Sequence, residues 1–232
     1  VPLLAKQGFT GRVFCSTATY ELCRILLLDS GRLQEEEAAY ANRHGYSKHA
    51  PALPLYTESD AERCLKQFVT VPFDEEVTVA RRMRVRFTPI GHTLGAAAVT
   101  LHVGEKTIVF SGDVGRPFDL LMRPPRAVEA ADYLVVESTY GDRVHNPEPP
   151  TVELGEVINR TVARGGKVIV PSFAVGRAQT LLYCIHRLKA DGVVNEAIPV
   201  YLDSPMAVDV TALYFRFRSL HRLSDDETRA MC

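Results

Sequence analysis

"FTPIGHTLGAAAVTLHVGEKTIVFSGDVGR" (Phe87–Arg116) contains apolar runs broken by glycines, and two of the breaks carry a lone polar residue, His92 and Asp113. The stretch continues an alternating pattern that begins at Glu76. In "EVTVARRMRVRFTPI", Met83, Val85 and Phe87 fall on one face and Arg82, Arg84 and Arg86 on the other, the period of a half-buried strand. "AAAVTLHV" and "KTIVFSGD" follow as further strands, joined by the Gly-containing turn in "HVGEKTI", which predicts antiparallel neighbours. "ADYLVVESTYG" (131–141) adds another, and near-continuous apolar runs of this kind predict strands covered on both faces.

Working outward, "GRVFCSTATYELCRILLLDSG" reads as a strand over Arg12–Cys15, a Ser/Thr cap and a helix running to Gly31. "QEEEAAYANRH" (34–44) reads as a second helix, and Thr57 with Asp60 forms a T-x-x-D capping box for a third through about Phe68. Beyond the proline-rich "GDRVHNPEPP" the pattern becomes helix (151–164), strand (167–171), helix (176–190), strand (198–203) and a helix from Pro205. That alternation predicts βαβ units and a parallel sheet. The fold class is α/β, with domains expected over 1–145 and 146–232.

At 46% hydrophobic over 232 residues the chain has enough apolar side chains for a large core. Its 27 basic and 28 acidic residues give a net charge of −1, so no overall basic field marks a nucleic-acid or membrane partner, and a polyanion site must be a local patch. Ten basic and ten acidic residues follow Asn146, so the second domain is equally balanced. No apolar run approaches the ~20 residues that span a bilayer. The five cysteines, Cys15, Cys23, Cys64, Cys184 and Cys232, are scattered, odd in number and without a C-x-x-C pair. This argues against a disulfide framework or a thiolate zinc finger, and a reducing cytoplasm is the expected location. The sequence opens on Val1-Pro2-Leu3-Leu4 and closes on "DDETRAMC" inside a helical pattern, which suggests an internal fragment.

Three strands end in groups able to do chemistry. His92 in G-H-T-L-G is either a metal ligand or a hydrogen-bonded turn histidine. Asp113 in S-G-D-V-G is a carboxylate at the end of an apolar strand, which either meets a cation or caps a turn. Glu137 in V-V-E-S-T-Y-G is the third, and convergence of such groups is what a hydrolytic metal site needs. "KVIVPSFAVGRAQTLL" is a strand, loop and helix whose N–H groups would face an anion, with Ser172 and Arg177 as side-chain donors; packing is the other reading. Ser204 in "VYLDSPMA" lies at a strand's carboxyl end and is either a ligand contact or a plain helix cap before Pro205. Arg82, Arg84 and Arg86 form either a basic stripe or an ordinary solvated face.

"GHTLGAAAV", "FSGDVGR" and "VVESTYGDR" resemble the third histidine, bridging aspartate and acidic motif of metallo-β-lactamase-fold nucleases of the beta-CASP group. "GGKVIVPSFAVGRAQTLL" and "PVYLDSPMA" resemble that group's inserted domain. The likeness covers nearly the whole chain and points to RNA-processing members related to the messenger-RNA 3′-end cleavage endonuclease. It implies an αββα metallo-β-lactamase portion followed by the start of a parallel α/β beta-CASP domain. It also implies a two-zinc phosphodiesterase acting on single-stranded RNA, endonucleolytic or 5′–3′ exonucleolytic, with a homodimer or a processing complex as its assembly and no membrane partner. By position His92 would bind one zinc, Asp113 would bridge both, and Glu137 would support proton transfer near the leaving group. Ser172, Arg177 and Ser204 would contact RNA phosphate. Such an ion pair supplies hydroxide at neutral pH and clamps phosphate oxygens.

The group's H-x-H-x-D-H motif is absent; by the resemblance it would precede Val1, and two later histidine motifs would follow Cys232. His44, His49, His102, His145, His186 and His221 lack the needed spacing and are expected on the surface, in loops or on helices. The chain alone is therefore expected to bind zinc poorly and to be inactive. A DNA-processing nuclease of the same superfamily, a non-catalytic structural subunit of an RNA-processing complex, and a thioester or lactam hydrolase on the same fold are the alternatives. The presence of all three of His92, Asp113 and Glu137 speaks against the second, and "PSFAVGRAQ" and "LDSPMA" speak against the third.

Overall fold

The computed structural model describes residues 1–128, 130–144 and 150–231. His145, Cys232 and the expected domain boundary after residue 145 lie outside them. The chain divides into one unit of Val1–Pro89, Gly95–Phe110 and Ala127–Leu134, and another of Ile90–Leu94, Ser111–Arg126 and Val135–Cys232.

The first unit opens with helix α1 (Pro2–Lys6), strand β1 (Val13–Cys15), helices α2 (Thr17–His44) and α3 (Glu58–Leu65) and strand β2 (Phe68–Thr70). β1 and β2 pair in parallel, Phe14 opposite Val69. Ser16 turns β1 into α2: its Oγ accepts from Thr19 N at 3.2 Å and donates to Gly95 O at 2.8 Å. α2 corrects the expectation of two helices. Gly31 does not end the first but lies within a single 28-residue helix, where a Cβ would stand 2.7 Å from Glu58 N and 2.8 Å from Thr57 C. Its missing side chain admits the start of α3, and the helix stops at Gly45, which takes the left-handed conformation with φ 65°. The Thr57 capping box forms as expected, with Asp60 N donating to Thr57 Oγ1 and Thr57 N donating to Asp60 Oδ2.

Strands β3 (Glu76–Ala80), β4 (Met83–Pro89), β5 (Ala97–Val103), β6 (Lys106–Phe110) and β7 (Tyr133–Val135) form one sheet in that order. β3 to β6 are successive antiparallel neighbours, as the turn spacing predicts. Val85 and Phe87 of the apolar face of β4 pack with Val71, and Phe14, Phe73, Val77 and Val99 surround them. The opposite face is no free basic stripe. Arg84 Nη1 lies 2.9 Å from Glu76 Oε1, and Arg82 occupies the β3–β4 turn with φ 61°. His102 Nε2 approaches Glu76 Oε2 at 3.2 Å, so this histidine is a half-buried strand residue beside a carboxylate and not a surface one. β7 is shorter than its apolar run and exposed instead of covered on both faces. It is the edge of the sheet, with β6 its one strand neighbour among the described residues.

The second unit contains helices α4 (Pro150–Ala163), α5 (Arg177–Ala190), α6 (Pro205–Arg216) and α7 (Asp225–Ala230). Ile158 of α4 and Leu188 of α5 meet Val194, Leu154, Ile185 and Ile198. The mixed α/β class holds, but residues 167–171 and 198–203 are not strands. A strand exists only when paired, and among the described residues neither segment finds a partner; Ile169 and Tyr201 are 89% and 84% exposed. His221 lies in the connection between Leu220 and α7, as the loop alternative has it, but it is buried at 1% exposure and not on the surface. Its Nε2 is 2.9 Å from Tyr214 O and, facing a carbonyl, must carry the hydrogen; Nδ1 has no partner among the described residues. No helix among the described residues is long and apolar enough to cross a membrane.

Candidate active site

His92, Asp113 and Glu137 all belong to the second unit, on three loops joined by backbone bonds. Gly115 N donates to Ile90 O at 2.9 Å, tying the Asp113 loop to the His92 loop. The glycines permit this closeness. A Cβ on Gly115 would lie 2.1 Å from Gly91 O and 2.7 Å from His92 N, and one on Gly91 would lie 2.2 Å from Arg123 O. Gly91 also takes φ 69°, which disfavours any other residue.

The third loop is fastened to the second. Ser111 N donates to Val135 O at 2.9 Å and Glu137 N to Ser111 Oγ at 3.0 Å. Val114 N in turn donates to Glu137 Oε1 at 2.6 Å. That backbone N–H and the Thr139 hydroxyl hold the Glu137 carboxyl below the usual range, with a smaller pull from His92. Glu137 is thus an ionised acceptor at neutral pH that fixes the residue after Asp113.

His92 Nε2 stands 3.9 Å from Asp113 Oδ2, too far for a hydrogen bond, and the side chains are 49% and 73% exposed. Two donors therefore point into one accessible region without satisfying each other. They do not suffice for a metal centre: among the described residues no group of three His, Cys, Asp or Glu side chains is placed to hold an ion. Among the described residues no thiol is activated as a nucleophile, because burial raises the pKa of Cys15, Cys23, Cys64 and Cys184 alike. The thiols of Cys15 and Cys64 are buried, and burial pushes Cys15 up to about 11.

The loop before α5 differs from expectation in its chemistry. Gly176 N donates to Gln179 Oε1 at 2.7 Å, Arg177 N to Val175 O at 3.0 Å and Ala178 N to Phe173 O at 3.1 Å. These N–H groups are occupied within the loop and do not face an anion. What the loop offers outward is side chains: Ser172 and Arg177 are both exposed. Ser204 caps α6, its Oγ accepting from Ala207 N at 3.2 Å, as the simpler reading has it. Gln179 was not singled out by sequence reasoning, yet it is fully buried and bonded on every side. A glutamine three residues after a helix's cap is the half of a capping box that could have flagged it.

Residues 178–232 match the Beta-Casp domain. A ribonuclease of Thermus thermophilus is 33% identical over 231 residues, 99% of this chain and 48% of that protein. Transcription termination factor FttA of Methanocaldococcus jannaschii is 33% identical over 226 residues, 92% of this chain and 32% of that protein. Cleavage and polyadenylation specificity factor 73 of Drosophila melanogaster is 32% identical over 215 residues, 91% and 29%. The chain thus spans about half of the first relative and about a third of the other two. Residues 178–232 are thus similar to the Beta-Casp domain, and the whole chain, α/β with glycine-packed His92, Asp113 and Glu137 loops, is similar to these relatives over 91–99% of its length.

Proposed function

We propose that the protein as its gene encodes it is a zinc-dependent ribonuclease that hydrolyses phosphodiester bonds of single-stranded RNA in RNA processing or decay. The observation that carries this reading is the convergence of His92, Asp113 and Glu137 on three loops, the Asp113 loop bonded to each of the other two, in a chain with a Beta-Casp domain match. A relative named as a ribonuclease supports RNA as the substrate. His92 and Asp113 would hold zinc, which when bound would supply hydroxide at neutral pH and polarise the phosphate oxygens. Among the described residues no third donor joins these two, so the reading requires further ligands beside them.

The chain's own residues divide the remaining work. Glu137, kept ionised, anchors the Asp113 loop through Val114 N–H and is an acceptor near the scissile group. Arg177 is an exposed cation whose planar fork suits a phosphate, with Ser172 exposed on the same loop and Ser204 at the start of α6. The cytoplasm, being reducing, suits the four unpaired described cysteines.

The test is cleavage of a single-stranded RNA and a DNA of the same sequence by the encoded protein, untreated, chelator-treated and zinc-restored. RNA should be cut, the cutting should stop on chelation, and zinc should restore it. Preferential DNA cleavage would shift the reading to a DNA-processing nuclease. Cleavage of neither would favour the non-catalytic subunit.

A further inference from the structure

We infer that Gln179 is a positioning residue that holds the two phosphate-contacting segments, the Ser172–Arg177 loop and the Ser204 start of α6, in one fixed arrangement before RNA arrives. The inference rests on the phosphate role proposed above for Arg177, and it extends that role to a residue that touches no substrate.

Gln179 lies on the first turn of α5 and is 0% exposed. An amide this deeply buried is costly unless every donor and acceptor is met. Here they are met, and by both segments at once. Oε1 accepts from Gly176 N at 2.7 Å, and Nε2 donates to Ala174 O at 3.0 Å, so one amide clasps the loop from both sides. The other hydrogen of Nε2 reaches α6, with Thr211 Oγ1 at 3.0 Å and Ala207 O at 3.4 Å.

The bonding continues from there. Thr211 Oγ1 donates to Ala207 O at 2.7 Å, and Ala207 N donates to Ser204 Oγ at 3.2 Å. Hydrogen bonds therefore link Gly176 through Gln179 and Thr211 to Ala207, whose own N–H bonds Ser204. Gly176 itself is held in a conformation foreign to the helix, φ 78° and ψ −59°, and Thr180 Oγ1 grips its carbonyl at 2.9 Å. These bonds set the loop's form. A site closed in this way binds without first ordering its loop, which is the gain from preorganisation.

Because Gln179 would act through Arg177, the two substitutions should not add. The experiment measures the affinity of a single-stranded RNA for the encoded protein by fluorescence anisotropy at several salt concentrations. The variants are Arg177→Ala, Gln179→Met, the double variant and Val210→Ala. Val210 is buried in α6, and its truncation costs stability without touching the path, so it reports what destabilisation alone does. Arg177→Ala and Gln179→Met should each raise Kd about tenfold, the double variant should stay within about twofold of Arg177→Ala, and Val210→Ala should leave Kd unchanged.

Full additivity, an unchanged Kd for Gln179→Met, or an equal loss in Val210→Ala would overturn the positioning role while leaving the phosphate role of Arg177 standing. An unchanged Kd and salt slope for Arg177→Ala would remove that role and the inference with it. If Gln179→Met does not fold, Thr211→Val breaks the same path at the α6 side. It should weaken binding in the wild-type background and not in the Arg177→Ala background, and additivity there would equally refute the inference.

Discussion

Replacing Gly91 with alanine should do more damage than any general effect of losing a glycine, and three substitutions separate the causes. At Gly165 the backbone is left-handed, φ 73°, but a Cβ would meet nothing within 4 Å. Gly165→Ala therefore incurs only the backbone penalty, about 1 to 2 kcal/mol, partly offset because alanine restricts the unfolded chain. Gly115 is not left-handed, but its Cβ would stand 2.1 Å from Gly91 O, so Gly115→Ala isolates the steric cost of about 1 to 3 kcal/mol. Gly91→Ala combines φ 69° with a Cβ 2.2 Å from Arg123 O, where one backbone must give by about 1 Å, and the sum is about 2 to 5 kcal/mol. Urea unfolding of the four proteins gives the values. The expected order of loss is Gly91→Ala largest, Gly115→Ala next and Gly165→Ala smallest. Equal losses at Gly115 and Gly165 would show that the His92 and Asp113 loops are not pressed together, equal losses at Gly91 and Gly165 would show that Gly91 does not lie against Arg123, and in either case the reasoning about the site's geometry would fail.

Gly31→Ala should run against helix propensity: propensity alone gives a gain of about 1 kcal/mol, but the contact with the Thr57–Glu58 backbone should turn it into a net loss in urea unfolding. A gain would mean that α2 and α3 do not approach there. His221 gives a pH dependence. Burial holds its pKa down, reinforced by the charges of Arg123 and Arg218 and only partly countered by its bond to the Tyr214 carbonyl. The unfolded imidazole gains its proton near pH 6.5 (about the ordinary value) while the folded one does not, so stability should fall as pH drops below that value toward the lower native pKa. Thermal melts from pH 7.5 to 5 should show this decline, and His221→Gln should flatten it; an identical slope in the variant would refute the assignment.

The elements read most directly were those whose signal is local. The alternation over Glu76–Pro89 and the turn at Gly104 specify β3 to β6 through side-chain period and turn chemistry, and Thr57 with Asp60 specifies the start of α3. The close approach of the His92 and Asp113 loops was legible in the same way, because glycines flanking a polar residue at the end of an apolar run mark a place where backbones can come together. What the residues could not show depends on partners distant in sequence. Gly31 looks like a stop until Thr57 and Glu58 are seen against it. The runs 167–171 and 198–203 have strand composition, but pairing is a property of two segments, and no described neighbour supplies it. The loop before α5 has an anion-site pattern, yet Gln179 and the loop's own carbonyls take its N–H groups. His221 has no periodic signature, and its burial follows from the packing around Tyr214.

The most direct test of the central claim is the rate of single-stranded RNA cleavage by the encoded protein with and without Asp113→Ala. Asp113 is 73% exposed, so the substitution should change stability by no more than about 0.5 kcal/mol. If Asp113 is a metal donor, the rate should fall by more than the roughly 10- to 100-fold that loss of an outer-shell partner costs. A variant that folds normally and cleaves RNA at the wild-type rate would contradict the account.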